Sequence, residues 1–304
     1  MDSGEAGRSN ASMDILLPFY GDVGLMQAAV DSVRGQHDAD WTMYVVDDNY
    51  PDPTVAEWFG GLDDARIHYQ RNATNLGANG NYRRALELAT ADYVVVMGAD
   101  DVMLPGYVAR LRSLFTDWPR AGVFQPGVEI IDEHGAAARP LADRVKARLA
   151  PSAPGVAELV GEDLARSVLR GNWTYFPSLC WDRRLIQETG FRRGLDVVQD
   201  LALILDVAHR GRSLVVDPTV VFQYRRHLSS DSAVRAVAGS RFREERDFFR
   251  TAATECREAG WNRAARAARW HLTSRLNAAS LLPRAARARK PAAVRTLLTH
   301  LLTP

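Results

Sequence analysis

A chain of 304 residues that is 46% apolar and 25% charged can bury a full core, as one large domain or two modest ones, and is neither fibrous nor disordered in composition. Its formal net charge of +1 argues against bulk attraction to nucleic acid, and no apolar run reaches the roughly 18 to 20 residues that a membrane span needs. The two cysteines, Cys180 and Cys256, stand far apart without ligand spacing, which excludes a disulfide framework and a zinc site and leaves both as packing residues of a reducing, cytoplasmic compartment.

Residues 1–12 are polar, lack an apolar signal core and are expected as a flexible leader. Residues 14–20 (DILLPFY) then read as a strand, and 23–36 as a helix with apolar spacing at Val23, Met26, Ala29, Val30 and Val33. The pattern repeats: a strand at 41–46 runs into Asp47 and Asp48, a short helix follows at 54–59, a strand at 66–69, a helix at 79–89 and a strand at 93–97. Alternation at this pace implies βαβ units and a mainly parallel sheet. A helix at 105–118 and a strand region at 122–131 follow, turning at 132–135. Residues 136–155, rich in Ala, Pro and Arg with little strand pattern, are expected as a mobile excursion or lid before helix returns at 156–169.

The segment 172–181 (NWTYFPSLCW) is dense in aromatics, fitting a core crossing or a stacking surface for a sugar. A helix opens at Asp200 and ends at Gly211, and strand character returns at 214–224. From Gly239 the pattern is helical, with many arginines and one acid, Glu258, between Arg257 and Arg295. Trp261, Trp270, Leu272, Leu276, Leu281 and Leu282 are interleaved there, so these helices either pack on the core or lie against an anionic membrane surface. Basic charge is otherwise almost all Arg, Lys146 and Lys290 being the only lysines.

The densest chemistry lies at 93–105 (YVVVMGADDVMLP), where an apolar run stops on Asp100 and Asp101 and a proline closes the turn. A buried strand that delivers acids at its carboxyl end places them where open α/β sheets bind ligands. Two such carboxylates suit a divalent cation that holds a phosphate, and they also suit a plain turn with a helix cap.

Taken together with PFY at 18–20, VVDDNYPD at 45–52, NLGANGNYRRAL at 75–86, IIDEHG at 130–135, GF at 190–191, QD at 199–200 and YRRH at 224–227, this turn resembles the family-2 glycosyltransferases of GT-A fold. The likeness runs from about Asp14 to Ser232. It implies an α/β fold: a GT-A type nucleotide-binding domain with a mainly parallel central sheet over 13–235, plus a C-terminal helical extension over 236–304. It implies an inverting transfer of sugar from a UDP- or dTDP-sugar to a glycan, natural-product or lipid-linked acceptor, assisted by Mn²⁺ or Mg²⁺; the basic helices beyond it, by their own charge and aromatics, would allow peripheral contact at the inner membrane face.

Residue by residue, the resemblance assigns Pro18, Phe19 and Tyr20 to the nucleotide pocket and Asp48 to a hydrogen bond from a base imide, which favours uracil or thymine. Asn75, Gly77 and Asn81 would close the pocket, and no G-x-G-x-x-G fingerprint is present. The family writes its metal turn with acids at the first and third positions. Here the triplet is Gly98, Ala99 and Asp100, so Asp100 carries the expected metal contact, with His227 as a further metal or diphosphate contact. Asp200 matches the general base, preceded by Gln199 where the family usually has Glu. Asp101, Trp173, Tyr175 and Gln199 are candidates for the acceptor side. The missing first acid and Gln199 keep open a catalytically weak nucleotide- or sugar-binding scaffold. A nucleotidyltransferase would want a basic glycine-rich loop after the first strand, and the stretch 21–24 has no adjacent Lys or Arg.

Overall fold

The computed structural model describes residues 11–152, 154–227, 240–287, 289 and 291–302. The expected leader, save Ala11 and Ser12, and the expected boundary at 235 lie outside them.

The first elements alternate: β1 (Met13–Phe19), α1 (Val23–Arg34), β2 (Trp41–Asp47), α2 (Thr54–Gly60), β3 (Ile67–Arg71), α3 (Gly77–Leu88) and β4 (Tyr93–Val96). β1 is apolar on both faces: Leu16 joins the core on one side of the sheet, and Ile15, Leu17 and Phe19 join the other. A strand buried on both sides has to be covered by helices, which is why this segment folds as βαβ units. α1 starts where the Asp22 side chain accepts the Leu25 N–H at 2.8 Å and buries Met26, Ala29, Val30 and Val33, one stripe of a 3.6-residue period. The strands lie in the order β3-β2-β1-β4, all parallel.

Beyond β4 the sheet is mixed. β5 (Val102–Met103), α4 (Tyr107–Asp117), β6 (Val123–Ile131), α5 (Leu141–Leu149), β7 (Ala157–Leu159), α6 (Gly161–Arg170), β8 (Cys180–Asp182), α7 (Arg183–Thr189), α8 (Gln199–His209) and β9 (Leu214–Arg225) complete it. The order continues β4-β8-β6-β9-β5, with β7 on β9. β8 runs antiparallel to both β4 and β6, whereas β6 and β9 are parallel. The mainly parallel expectation therefore describes the first four strands, and the second half adds antiparallel strands too short to show in the sequence.

The stretch 136–155 is not a free excursion. It contains α5, which docks through polar groups: Asp143 receives Arg226 at 2.7 and 3.1 Å and the Tyr175 hydroxyl at 3.0 Å, and the Lys146 ammonium donates to the Thr174 carbonyl at 2.7 Å. Hydrophobic periodicity cannot reveal a helix held this way. The helix expected from residue 156 is delayed by β7 and begins at Gly161.

Four helices follow: α9 (Ser240–Glu258), α10 (Asn262–Trp270), α11 (Leu272–Arg287) and α12 (Pro291–Leu302). α9 and α10 are not an appendage, since Phe248, Phe249, Ala252, Cys256, Ala264 and Ala268 share the core of α6 and α8. Arg192 ties the two regions by pairing with both Asp206 and Glu255. α11 and α12 add a smaller core of Ala278, Ala285, Ala293 and Leu297 with Phe242. Trp261 stacks on His209, while Trp270, Leu272 and Leu276 remain exposed. No described helix is long and apolar enough to cross a membrane. Cys180 and Cys256 are both buried and unpaired.

Candidate active site

β1 and β2 end side by side, Phe19 opposite Asp47, so the residues after them share one crevice. Phe19 is buried and Tyr20 exposed, both against Tyr50. Asp47 is structural, capping the turn through Tyr50 N–H at 2.7 Å and accepting the Tyr69 hydroxyl at 2.5 Å. Asp48 is 1% exposed, and its Oδ1 accepts both Asn72 Nδ2 at 2.9 Å and Leu76 N–H at 2.8 Å. Among the described residues its Oδ2 has no protein partner, which leaves an acceptor for a ligand N–H. Asn81 completes the support by accepting from Asn72 at 2.9 Å and donating to the Val46 carbonyl at 2.8 Å. Asn75 accepts the Gly77 N–H at 2.9 Å, and Gly77 has φ +71, a left-handed turn that glycine adopts without strain.

At the end of β4, Asp100 Oδ2 lies 2.7 Å from His227 Nε2, with the Asp100 side chain 38% exposed. Arg225 fastens this turn: its guanidinium donates to the Asp100 carbonyl at 2.7 Å, and its backbone N–H to Asp101 Oδ1 at 2.8 Å. Asp101 Oδ2 is buried with no hydrogen-bond partner, and burial together with the neighbouring Asp100 charge holds this carboxyl well above the usual range. It faces the turn, so the acceptor-side reading of Asp101 is corrected.

At Gly98 a Cβ would stand 2.5 Å from Asp101 Oδ2 and 3.0 Å from Asp100 Oδ1. The Asp101 carboxylate occupies the space a side chain at 98 would need. No described cluster of three His, Cys, Asp or Glu residues could hold a metal by itself. Asp100 and His227 supply one carboxylate and one imidazole, a pair that would hold Mn²⁺ or Mg²⁺ only together with oxygens of a bound phosphate.

Asp200 sits in the first turn of α8. Asn172 Nδ2 donates to its Oδ2 at 2.7 Å and Leu201 N–H to its Oδ1 at 2.7 Å. The preceding loop is capped from α9, where Glu244 Oε1 accepts the N–H groups of Asp196, Val197 and Val198 at 2.9, 2.6 and 3.1 Å. Beside Asp200, Gln199 Oε1 is buried without a partner. The Tyr82 hydroxyl is pushed up to about 12 by burial first, and then by nearby carboxylates.

Trp173 and Tyr175 also line a cavity of about 970 Å³ between α5, β6 and β9. Trp173, in a segment that fitted either a core crossing or a stacking surface and a candidate for the acceptor side, is only 2% exposed and gives its indole N–H to Ser167, so it forms wall. Tyr175 lines the cavity with its hydroxyl engaged by Asp143. Asn72, Asn172, Arg225 and the Asp143–Arg226 pair escaped the sequence reading. Only NxxNLG at 72–77 and YRRH at 224–227 carried a local signal for any of them.

A sheet that opens at β1, β2 and β4 onto acids, with α8 supplying a further carboxylate, defines a GT-A-like α/β protein. Residues 14–155 match the family described as glycosyl transferase family 2. A relative from Campylobacter jejuni, GalNAc(5)-diNAcBac-PP-undecaprenol beta-1,3-glucosyltransferase, is 30% identical over 103 residues, 33% of either chain. The matched stretches span 20% to 41% of the curated relatives' lengths. S. aureus TarS bound to UDP-GlcNAc superimposes with a TM-score of 0.58 at 15% identity, covering 95% of this chain and 90% of that one. The mannosyltransferase PcManGT from Pyrobaculum calidifontis, bound to GDP-Man and Mn²⁺, gives 0.58 at 17% identity over 95% and 79%. At such identities these two likenesses are of fold.

Proposed function

We propose that the chain transfers a sugar from a UDP- or dTDP-sugar to an acceptor hydroxyl with inversion at the anomeric carbon. The observation that carries this reading is the set of held acids at the strand ends and the start of α8: a buried Asp48 whose Oδ1 is fixed by Asn72 and the Leu76 N–H, Asp100 against His227, and Asp200 against Asn172. Asp48 Oδ2 would accept the N–H of a uracil or thymine ring. A base lacking that donor would leave a buried carboxylate oxygen unpaired, which is how such a site discriminates. Asp100 and His227 would hold Mn²⁺ or Mg²⁺, which when bound neutralises charge on the departing diphosphate. Asp200 would take the acceptor proton, Asn172 holding the carboxylate toward the sugar. Neighbours of the same fold bind UDP-GlcNAc and GDP-Man, so the fold alone does not choose the base. Turnover of UDP-glucose, UDP-N-acetylglucosamine and dTDP-glucose by wild type and Asp200→Asn tests the reading: release of nucleoside diphosphate that depends on Asp200 supports it, and release indifferent to Asp200 sinks it.

A further inference from the structure

The cavity between α5, β6 and β9 contains none of Asp48, Asp100, His227 or Asp200 among its lining residues. It is nevertheless wired to the carboxylate of α8. Lys146 on its wall donates to the Thr174 carbonyl at 2.7 Å, the Thr174 hydroxyl donates to Asn172 Oδ1 at 2.7 Å, and Asn172 Nδ2 donates to Asp200 at 2.7 Å. Beside Lys146, Tyr175 and Arg226 meet on Asp143, and the next residue, His227, reaches Asp100. One wall therefore serves both the cavity and the reacting centre. At about 970 Å³ it is at the upper end of small-ligand sites.

Its charge is one-sided. Three acids line it, and two are already neutralised: Asp143 by Arg226 and Asp217 by Arg110 at 2.7 Å. The third, Glu129, is exposed and takes the Gln223 amide. Against them stand Arg139, Arg144, Arg148 and Lys146. The three arginines have no carboxylate partner among the described residues, and all three are exposed. Arg144 and Arg148 lie one helical turn apart on α5, on the same face. Lys146 is held over the Tyr175 ring at 4.3 Å. Three guanidinium forks exceed what one carboxylate can satisfy, whereas a phosphate offers more charge and more acceptor oxygens in the geometry those forks match.

We infer that this cavity receives the acceptor and selects one that carries a phosphate, held by Arg139, Arg144 and Arg148 while its hydroxyl end reaches Asp200. The inference rests on the transferase reading and names the acceptor class for it. The phosphate can belong to a soluble glycerol- or polyol-phosphate or to a lipid headgroup.

The test titrates sn-glycerol 3-phosphate into the full chain saturated with UDP and Mn²⁺, so that the diphosphate site is already filled, with glycerol and glucuronate as controls. Vesicles of phosphatidylglycerol, against phosphatidylcholine, form the lipid arm. Both arms are repeated with Arg144→Gln/Arg148→Gln, whose positions on the exposed face of α5 spare the core, with a melting curve to show that the fold is kept. Binding of glycerol 3-phosphate but not of glycerol or glucuronate, weakened roughly tenfold or more by the double variant with UDP affinity unchanged, supports a soluble phosphate acceptor. Binding to phosphatidylglycerol vesicles alone, with the same dependence, supports a lipid-borne one. Absence of both, equal binding of glucuronate, or indifference to the double variant overturns the inference. If UDP fails to bind while arginine-dependent phosphate binding persists in the free chain, the transferase reading falls and the phosphate site stands by itself.

Discussion

Asp48 and Asp200 are each steadied by an asparagine, Asn72 and Asn172, yet what stands behind the two asparagines differs. Asn72 is backed by Asn81 and the Val46 carbonyl, all within three successive βαβ elements whose strands register with one another. Asn172 belongs to a loop held by Lys146 from α5, and the start of α8 is capped by Glu244 from α9. The half proposed to hold the nucleotide is thus closed over a short stretch of chain. The acceptor half is assembled from segments up to about a hundred residues apart, by side chains instead of by the sheet. Changes in the first half should act on donor affinity, and changes in the second on turnover.

The largest effect expected from this contrast is at Asp200. Asp200→Asn keeps the Asn172 contact possible but removes the proposed base, and turnover should fall about 10²- to 10⁴-fold while UDP affinity by calorimetry is unchanged. Next comes Asn72→Ala, which strips Asp48 Oδ1 and Asn81 of a buried partner at an expected cost of about 1 to 3 kcal/mol. It should weaken UDP binding by roughly tenfold or more, with kcat for the remaining complex close to wild type. An equal fall in kcat would mean that the halves are not separable.

Smaller again is Glu244→Ala. Losing the acceptor for three N–H groups before α8 should destabilise that turn by about 1 kcal/mol and lower kcat a few-fold without changing UDP affinity. Glu244→Gln, which keeps an acceptor oxygen, should recover most of the loss.

The smallest effect lies outside both halves. His300 is buried, and that burial lowers its imidazole to about 4, with Ser274 linking it to Glu245. Because the folded group stays neutral where the unfolded one takes a proton, stability should decline as pH falls from about 6.5 to about 4. His300→Asn should flatten that part of the melting-temperature profile without altering UDP binding.

Much of the nucleotide half was legible in the sequence because its signals are local. An apolar run ending on acids marks a strand end, as at 93–101 and 41–48, and Asn75, Gly77 and Asn81 fall within one loop and helix. In the acceptor half Asp200, Gln199 and the aromatic segment with Trp173 and Tyr175 were legible, but not the elements that hold them. α5 was hidden because it docks by Asp143 and Lys146 instead of by an apolar stripe. The mixed sheet was hidden because β5, β7 and β8 are two or three residues long. Asp101 was misplaced because a pair of adjacent acids does not say which one turns inward; the close approach at Gly98 does.

The most direct test of the central claim is calorimetry of UDP, dTDP and GDP, each with and without Mn²⁺, on wild type and Asp100→Ala. The account predicts that a uracil or thymine nucleotide binds in preference to GDP, and that its affinity needs both the metal and Asp100. Binding of none of the three, or binding indifferent to metal and to Asp100, would contradict it and leave a scaffold that keeps the fold without the transfer.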